Sequence, residues 1–387
     1  MRTIKISQML VFLIIVLTAY SVANLFIYIQ TKSVFSIPAI GRTLMAVFCL
    51  LVASYPLGRI LDNFTGGFLS TLLTKAGSIW LGAMLYLILA FFLVLILRLT
   101  NTLLPITHYL GFKNHPYYQQ VSVAIVYSLV AIVLILGHIN AVNPTVSIIR
   151  INAGKTLPNG GIRVVAVSDI HLGTIIGKKQ LGKLVKMVNA QHPDIVLLVG
   201  DTFDEDVAPV VNGGMGYLFE RINSKYGIYA VTGNHEYFGR FEEKINYLKE
   251  HKINILRDSA VLIDNFYVIG RDDRQSNYTL KRTRKSVEEL TRSLDKSKFL
   301  ILLDHQPYHL NEAEENGIDL QLSGHTHHGQ MWPFNYITNS IFEVSRGYYH
   351  KGKTHYYVST GFGTWGPRVR TGNRPEIVVI DINRTKM

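Results

Sequence analysis

The stretch "DLQLSGHTHHGQMWP" places three histidines, His325, His327 and His328, within four positions. An apolar run precedes them, and Gly324 and Gly329 stand on either side. Imidazoles at this spacing serve equally well as metal ligands at the end of a buried strand or as polar side chains of a surface loop. The stretch alone does not decide between these two interpretations, so the rest of the chain has to.

Residues of metal-binding type follow four further apolar runs. The runs "RVVAVS", "DIVLLVG", "GIYAVTG" and "FLILLD" are typical of buried strands, and amphipathic helices such as "KKQLGKLVKMVNAQ" separate them. The polar residues that follow these runs are Asp169 and His171, Asp201 and Asp204, Asn234 and His235, and His305. Any one of these pairs is a common turn, but five strand ends of the right chemistry favour a single site, because ligands bind beyond the carboxyl ends of strands in open α/β sheets.

The alternation of strands and helices predicts an α/β domain over residues 146–387. A hairpin-like stretch near Asp264 and Asn265 indicates that its sheets are mixed rather than all parallel. The predicted fold is therefore a layered α/β domain.

The N-terminal part of the chain has a different composition. Residues 1–150 contain nine Lys or Arg but one acid, Asp62, and include long uncharged apolar runs. About 20 apolar helical residues, each rising about 1.5 Å, cross the hydrocarbon core of a bilayer. We predict a transmembrane region over residues 1–145, with helices near 6–30, 37–58, 76–98 and 117–139. A buried hydrophobic core is the alternative, and the length of the runs and the scarcity of acids disfavour it.

The flanking charges predict the orientation of these helices. Seven Lys or Arg flank them on the N-terminal side of the membrane and four on the other. The positive-inside rule then favours a cytoplasmic N-terminus, and an even number of helices puts the catalytic domain in the cytoplasm too. The single cysteine, Cys49, lies in a membrane segment and excludes a disulfide framework.

The ordered set of strand-end residues resembles the calcineurin-like metallophosphoesterases over about residues 160–385. The set comprises Asp169-x-His171, Gly200-Asp201-x-x-Asp204, Gly233-Asn234-His235-Glu236, His305, and Gly324-His325-x-His327. The ending "STGFGTWGPRVRTGNRPEIVVI" is similar to a membrane-associated branch. That branch includes the UDP-2,3-diacylglucosamine hydrolases of lipid A biosynthesis and transmembrane proteins with this domain. The resemblance implies an αββα sandwich of mixed sheets and a protein integral to the plasma (inner) membrane.

The resemblance also implies a ligand set for two divalent metal ions. One ion would be held by Asp169, His171, Asp201 and His327, and the other by Asp201, Asn234, His305 and His325. Asp201 would bridge them, and His328 would be a neighbour rather than a ligand. Carboxylates, imidazoles and an amide without thiolates suit Mn, Fe, Zn or Co.

Two metals about 3.5–4 Å apart can bridge a water, lower its pKa and stabilise an in-line displacement at phosphorus, so that a metal-bridging hydroxide is the nucleophile. His235 is assigned to neither metal. We expect it to hydrogen-bond the phosphate and assist the leaving oxygen, a contribution of roughly 10² to 10⁴-fold. Arg368, Arg370 and Arg374 follow a Gly-rich loop and are candidates for gripping a diphosphate.

Three functions are open from the sequence. The first is a membrane-bound phosphodiester or pyrophosphate hydrolase whose substrate is lipid-linked, such as UDP-2,3-diacylglucosamine. The second is a membrane-tethered phosphatase or nuclease for soluble phosphate esters, and the third is a non-catalytic metal-binding scaffold. The expected partners are the lipid bilayer and a phosphorylated substrate, and nucleic acid is not expected.

The basic run "KRTRK" (Lys281 to Lys285) is either a solvated face or a contact with anionic lipid headgroups.

Overall fold

The structure is a computed structural model and describes residues 2–64, 67–104, 117–155 and 157–383. The chain folds as two compact units, Met1–Leu136 and Gly137–Met387. The division falls before the predicted domain boundary at residue 145. Residues from Gly137 onward join the second unit because Arg370 N donates to Gly137 O (2.9 Å) and Asn140 Nδ2 donates to Arg370 O (3.3 Å).

Four helices long and apolar enough to cross a bilayer confirm the predicted helical region. They are α1 (Arg2–Phe35), α2 (Gly41–Phe64), α3 (Phe68–Leu103) and α4 (Tyr118–Val142). α3 begins eight residues before the predicted start at residue 76 and includes Lys75. In this first turn Ser70 Oγ donates to Asp62 Oδ1 (3.1 Å), which ties α3 to α2. Gly77 is a close-approach point, since a Cβ there would lie 2.3 Å from Tyr55 N.

The second unit contains seven further α-helices and twelve strands among its described residues. The helices are α5 (Lys178–Asn189), α6 (Ala208–Asn212), α7 (Phe241–Glu250), α8 (Gln275–Thr279), α9 (Val287–Thr291), α10 (Asn311–Glu315) and α11 (Phe334–Ile341). The strands are β1 (Thr145–Ile151), β2 (Ile162–Val167), β3 (Ile195–Val199), β4 (Ile228–Val231), β5 (Ile253–Ile255), β6 (Ser259–Ile263), β7 (Phe266–Gly270), β8 (Phe299–Leu303), β9 (Leu320–Ser323), β10 (Gly347–Lys351), β11 (Thr354–Val358) and β12 (Glu376–Ile382).

The strands form two six-stranded mixed sheets, as the sequence predicts. The first has the order β1-β12-β2-β3-β4-β5 and the second the order β10-β11-β9-β8-β7-β6. Neighbouring strands from β2 to β5 are parallel, as are β11, β9, β8 and β7. The antiparallel pairs are β12 with β2, β10 with β11, and β6 with β7.

Alternating side chains along the strands build four layers. In β2, Val164 packs into the core between the two sheets, while Val165 packs into the core under α5. Leu300 of the second sheet faces a third core with Leu290 of α9. Strands buried on both faces are Val, Ile and Leu runs, which is why "IVLLV" of β3 reads as continuously apolar. The result is an αββα sandwich.

Candidate metal centre

The carboxyl ends of five strands meet at one edge of the sandwich. β2, β3 and β4 are parallel neighbours in the first sheet, and β8 and β9 are parallel neighbours in the second. Because the two sheets share one core, the residues that follow these strands converge. The residues brought together are Asp169, His171, Asp201, Asn234, His235, His305, His325 and His327, which are all of the predicted metal ligands and the predicted catalytic histidine.

One half of the site is formed by Asp169, His171 and His327. The Nε2 atoms of the two histidines lie 3.0 Å apart, and Asp169 Oδ1 lies 3.5 Å from His327 Nε2 and 4.0 Å from His171 Nε2. All three residues are buried. Their ligand atoms therefore surround a common point.

The other half is formed by Asp201, Asn234, His305 and His325. Asp201 Oδ2 lies 3.1 Å from His305 Nε2, and His325 Nδ1 lies 2.9 Å from Asn234 Oδ1. The same Oδ2 of Asp201 lies 3.9 Å from His171 Nε2 in the first half. Asp201 thus occupies the position between the halves that a shared ligand requires.

The backbone at these strand ends is held in the left-handed region, which non-glycine residues seldom adopt. The φ angles are 51° at Asp169, His171 and Asp201, 69° at His325 and 45° at His327. Each such residue costs of order 1–3 kcal/mol, and strain of this kind clusters at functional sites. The arrangement therefore points to a function that outweighs the cost in stability.

Glycines let the loops approach one another closely. A Cβ at Gly324 would lie 2.3 Å from Asp169 Oδ2, and one at Gly233 would lie 2.1 Å from Asp201 Oδ1. Any side chain at either position would displace a carboxylate of the site.

The donor set fits a pair of divalent cations. His305 Nδ1 lies 2.7 Å from the carbonyl of Val199 and must donate to it, which leaves Nε2 to face the site. Among the described residues, the buried Nδ1 of His171 has no hydrogen-bond partner, and His305 Nε2 faces Asp201 Oδ2 at 3.1 Å. Convergent imidazole nitrogens and carboxylates could hold divalent metal ions.

The electrostatics of the site differ among its histidines. Burial lowers the pKa of His305, but the charge of Asp201 and its hydrogen bond raise that pKa well above the ordinary value, whereas the pKa values of His325 and His327 are lowered. Burial lowers the pKa of His325 to about 3, and the neighbouring His305 contributes. Burial together with His171 and Arg370 holds the pKa of His327 well below its ordinary value. Both histidines are therefore neutral, as metal binding requires. Burial opposes ionisation of Asp201, but the charge and hydrogen bond of His305 lower its pKa well below the usual range.

His235 sits at the edge of the site, where its Nδ1 lies 3.4 Å from Asp204 Oδ1. Burial lowers its pKa, but the hydrogen bond with Asp204 and the charge of Asp201 outweigh this effect, so the pKa is raised overall. The sequence singled out Asp204 without a role. In the structure its Oδ1 also lies 3.7 Å from His171 Nδ1, beyond hydrogen-bond distance, so Asp204 stands between His171 and His235.

Two buried charges behind the site carried no assignment from the sequence. Glu236 accepts from the backbone N–H groups of Asp201 (2.9 Å), Phe203 (3.0 Å) and Gly233 (2.7 Å). Lys244 Nζ donates to the carbonyls of Asp204, His235 and Phe238 at 2.7–3.0 Å. Glu236 could have been identified from the sequence by its place in the Gly-Asn-His-Glu run. Lys244 could not, because its position in an amphipathic helix is that of an ordinary surface lysine.

The predicted substrate arginines lie in different surroundings. Arg370 is fully buried, and its Nη2 lies 2.6 Å from Gly363 O and 3.0 Å from His327 Nδ1. These partners fit support of His327 better than contact with a substrate, and the substrate-binding role of Arg370 stays a prediction. Arg368 donates to Gln180 Oε1 (2.8 Å), and its buried Nε has no hydrogen-bond partner in the described part of the chain, so its role also stays a prediction.

Two other sequence features are resolved by their contacts. His328 Nδ1 lies 2.8 Å from Ser345 Oγ, away from the site, as expected for a neighbour. In the "KRTRK" run, Arg284 Nη1 pairs with Asp304 Oδ1 (3.0 Å) and is nearly buried. This arginine therefore belongs neither to a solvated face nor to a lipid contact.

A sandwich that gathers buried carboxylates, imidazoles and an amide able to hold divalent cations is the arrangement expected of a metal-dependent hydrolase. A family model described as calcineurin-like phosphoesterase matches residues 162–329. An uncharacterized metallophosphoesterase of Aquifex aeolicus is 34% identical over 232 residues, which cover 59% of this chain and 88% of that protein. A metallophosphoesterase of Campylobacter jejuni is 34% identical over 233 residues, covering 58% of this chain and 60% of that protein.

A transmembrane protein with metallophosphoesterase domain from Bos taurus is 31% identical over 265 residues, which cover 63% of this chain and 58% of that protein. Among solved structures, the sulfate thiohydrolase SoxB of Thermus thermophilus has a TM-score of 0.38 and 15% identity over 59% of this chain and 57% of that one, too low to add to the assignment. The chain belongs to the calcineurin-like phosphoesterase family. It is a metal-dependent hydrolase of phosphate ester bonds with four apolar helices of membrane-spanning length.

Proposed function

We propose that the protein hydrolyses a phosphodiester or pyrophosphate bond of an amphiphilic, lipid-linked substrate at the membrane surface. The observation that carries the proposal is the presence, in one chain, of four apolar spans and a complete Asp/His/Asn cluster with His235 at its edge. A lipid-linked diphosphate such as UDP-2,3-diacylglucosamine, from lipid A biosynthesis, is the first substrate to test.

The residues of this chain divide the chemical work. When bound, two divalent ions would supply positive charge for the phosphate oxygens and an activated water. Asp169, His171 and His327 would hold one ion, and the residues Asn234, His305 and His325 the other, with Asp201 shared. His235, backed by Asp204 at 3.4 Å, is placed to donate a hydrogen bond to the phosphate and a proton to the leaving oxygen.

We place the catalytic domain on the cytoplasmic side of the inner membrane. The support is the excess of Lys and Arg on the N-terminal side of the four helices. One basic residue in that comparison, Lys113, lies outside the described residues.

The competing functions make different demands on the site. A tethered phosphatase or nuclease for soluble esters would use the same cluster and prefer small substrates. A non-catalytic scaffold would keep the metal ligands without needing a buried acid-base pair. The Asp204–His235 pair favours catalysis, because it orients a side chain that the metals do not require.

The test is turnover by the purified full chain, stripped of metal and reloaded with Mn, Fe, Zn or Co in turn. The substrate panel contains UDP-2,3-diacylglucosamine in mixed micelles, bis(p-nitrophenyl) phosphate, p-nitrophenyl phosphate and UDP-glucose. We expect hydrolysis of the diester and diphosphate substrates, with the lipid-linked diphosphate preferred over UDP-glucose. Equal turnover of UDP-2,3-diacylglucosamine and UDP-glucose would overturn the lipid-linked assignment. No turnover with any metal would overturn the assignment as an enzyme.

The His235→Asn variant tests the assigned role within this panel. We expect unchanged metal content and a loss in turnover of roughly 10² to 10⁴-fold, the usual contribution of a positioned acid. His350→Asn is the matched control, since His350 is an exposed histidine on β10. Normal turnover of the His235 variant would remove that residue from the mechanism.

A further inference from the structure

An exposed group of large apolar side chains lies beside the metal centre. We name it the aromatic rim, and it consists of Trp332, Phe334, Ile337, Ile341 and Trp365, which are 41–59% exposed. Single exposed apolar residues are ordinary on a protein surface, but contiguous groups of this kind mark interaction sites.

Helix α11 turns its apolar face outward. Phe334, Ile337 and Ile341 recur at helical spacing and are all exposed. On the opposite side, Asn335 is partly buried, and Asn339 Oδ1 accepts a hydrogen bond from Ser345 Oγ. An amphipathic helix on a protein in water normally buries its apolar face, so this orientation favours an apolar surrounding outside the domain.

The aromatic rim is fixed rigidly to the site. A Cβ at Gly329 would lie 2.3 Å from Phe334 C, so α11 packs directly on the turn that carries His327. Gln330 Nε2 donates to Trp365 O (2.9 Å), and Trp365 N donates to Gln330 Oε1 (2.9 Å). The two tryptophans therefore lie on adjoining loops at the border of the metal centre.

The same loops bind the last turns of α4 within the second unit. Trp332 N donates to Thr371 Oγ1 (2.9 Å), and Arg370 N donates to Gly137 O (2.9 Å). Arg374 Nη2 donates to Asn143 O (2.7 Å), directly after that helix. Within the second unit, the loops of the aromatic rim are therefore bonded to the residues that end α4, a helix of membrane-spanning length and composition.

The composition of the aromatic rim matches one occupant. Tryptophan and other aromatic side chains concentrate at the membrane–water interface, and short apolar helix faces lie about 5–10 Å deep in it. Arg346 and Arg374, both exposed on neighbouring segments, suit anionic headgroups. We infer that the aromatic rim inserts into the interfacial layer of the bilayer that anchors the chain, so that the metal centre opens next to the lipid headgroups.

Fluorescence quenching of the full chain in lipid vesicles tests this inference independently of catalysis. Single cysteines replace Ile337 or Ile341 in a Cys49→Ser background and carry an environment-sensitive label. The vesicles contain phosphatidylethanolamine and phosphatidylglycerol, with a fraction of lipids bearing a nitroxide near the headgroup. Tyr278→Cys is the matched control, because Tyr278 is 77% exposed on α8.

We expect the labels at 337 and 341 to be quenched by the lipid nitroxide roughly fivefold more than the label at 278, as interfacial depth dictates. Aqueous iodide should show the reverse order. Equal quenching at all three positions would overturn the inference. Shielding from both quenchers, relieved when the protein-to-lipid ratio is lowered, would also overturn it and assign the surface to contact between copies.

Discussion

Glu236 offers a direct test of how the site is held. Its carboxylate accepts three backbone hydrogen bonds and lies 1% exposed. Two of the donors, Asp201 N and Gly233 N, belong to loops that carry or precede metal ligands. The Glu236→Gln substitution keeps the shape of the side chain and removes its ability to accept at both ends.

The expected cost follows from the contacts. Oε2 accepts from Asp201 and Gly233, and Oε1 accepts from Phe203. The glutamine can keep the two bonds of Oε2, but its NH₂ group then faces Phe203 N, which is also a donor. Losing a hydrogen bond to a buried charged group costs about 1.5–3 kcal/mol. Expressed wholly in metal binding, this cost predicts a metal affinity roughly 10- to 100-fold weaker, the range found for outer residues of metal sites, and any part expressed in folding lowers the unfolding temperature instead.

The assay is metal titration of the purified full chain by calorimetry, with thermal unfolding of the metal-free protein measured in parallel. Glu243→Gln is the matched control, because Glu243, on the following helix α7, is exposed and pairs at the surface with Arg240. If Glu236→Gln bound metal and unfolded as the wild type does, the carboxylate would not hold these loops and the reasoning would fail.

Three further outcomes follow from the geometry of the site. Asp201→Asn should lower bound metal from about two ions per chain to one or fewer, as elemental analysis would show, since the shared ligand is lost; two retained ions would contradict its bridging position. Gly324→Ala should also lower metal content, because its Cβ would lie 2.3 Å from Asp169 Oδ2, whereas Gly182→Ala, with nothing within 4 Å, should not; equal occupancy in both variants would count against the crowding argument. Metal removal by a chelator should lower the unfolding temperature, since ligand at 100 times its dissociation constant contributes about 2.7 kcal/mol; an unchanged melting curve would show that the ions do not stabilise the fold.

The sequence predicted the parts of this protein that depend on local pattern. The strand "IVLLV" and the amphipathic helix "KKQLGKLVKMVN" are encoded by periodicity, and the elements are observed as β3 and α5. The position of Asp169, Asp201 and His305 directly after such strands implied that they meet, because parallel neighbours end at one edge. Strand-end chemistry was therefore sufficient to group residues far apart in sequence.

Contacts that depend on three-dimensional packing could not be predicted in this way. One partner of Arg370 is His327, 43 positions away, and the pairing depends on a loop of irregular backbone. Lys244 occupies a helix position whose neighbours in sequence give no sign of the three carbonyls it meets. The outward face of α11 is equally hidden, since its pattern predicts an amphipathic helix but not which face contacts the protein.

The residues that were hardest to predict share a physical role. Glu236, Lys244 and Arg370 are buried charges that bond to backbone groups or to a ligand's second nitrogen rather than to the cations. Isolated buried charges are strongly unfavourable, so each must be satisfied by a loop that adopts a defined conformation. The left-handed backbone at Asp169 and Asp201 is unfavourable in isolation as well. The cost of burying the charges and the cost of the left-handed backbone depend on each other. The loops supply the hydrogen bonds that satisfy the charges, and the charges hold those loops in their conformation. A site of this kind forms only when the whole sandwich has folded, which explains why its ligands can be read from local sequence while the forces that position them cannot.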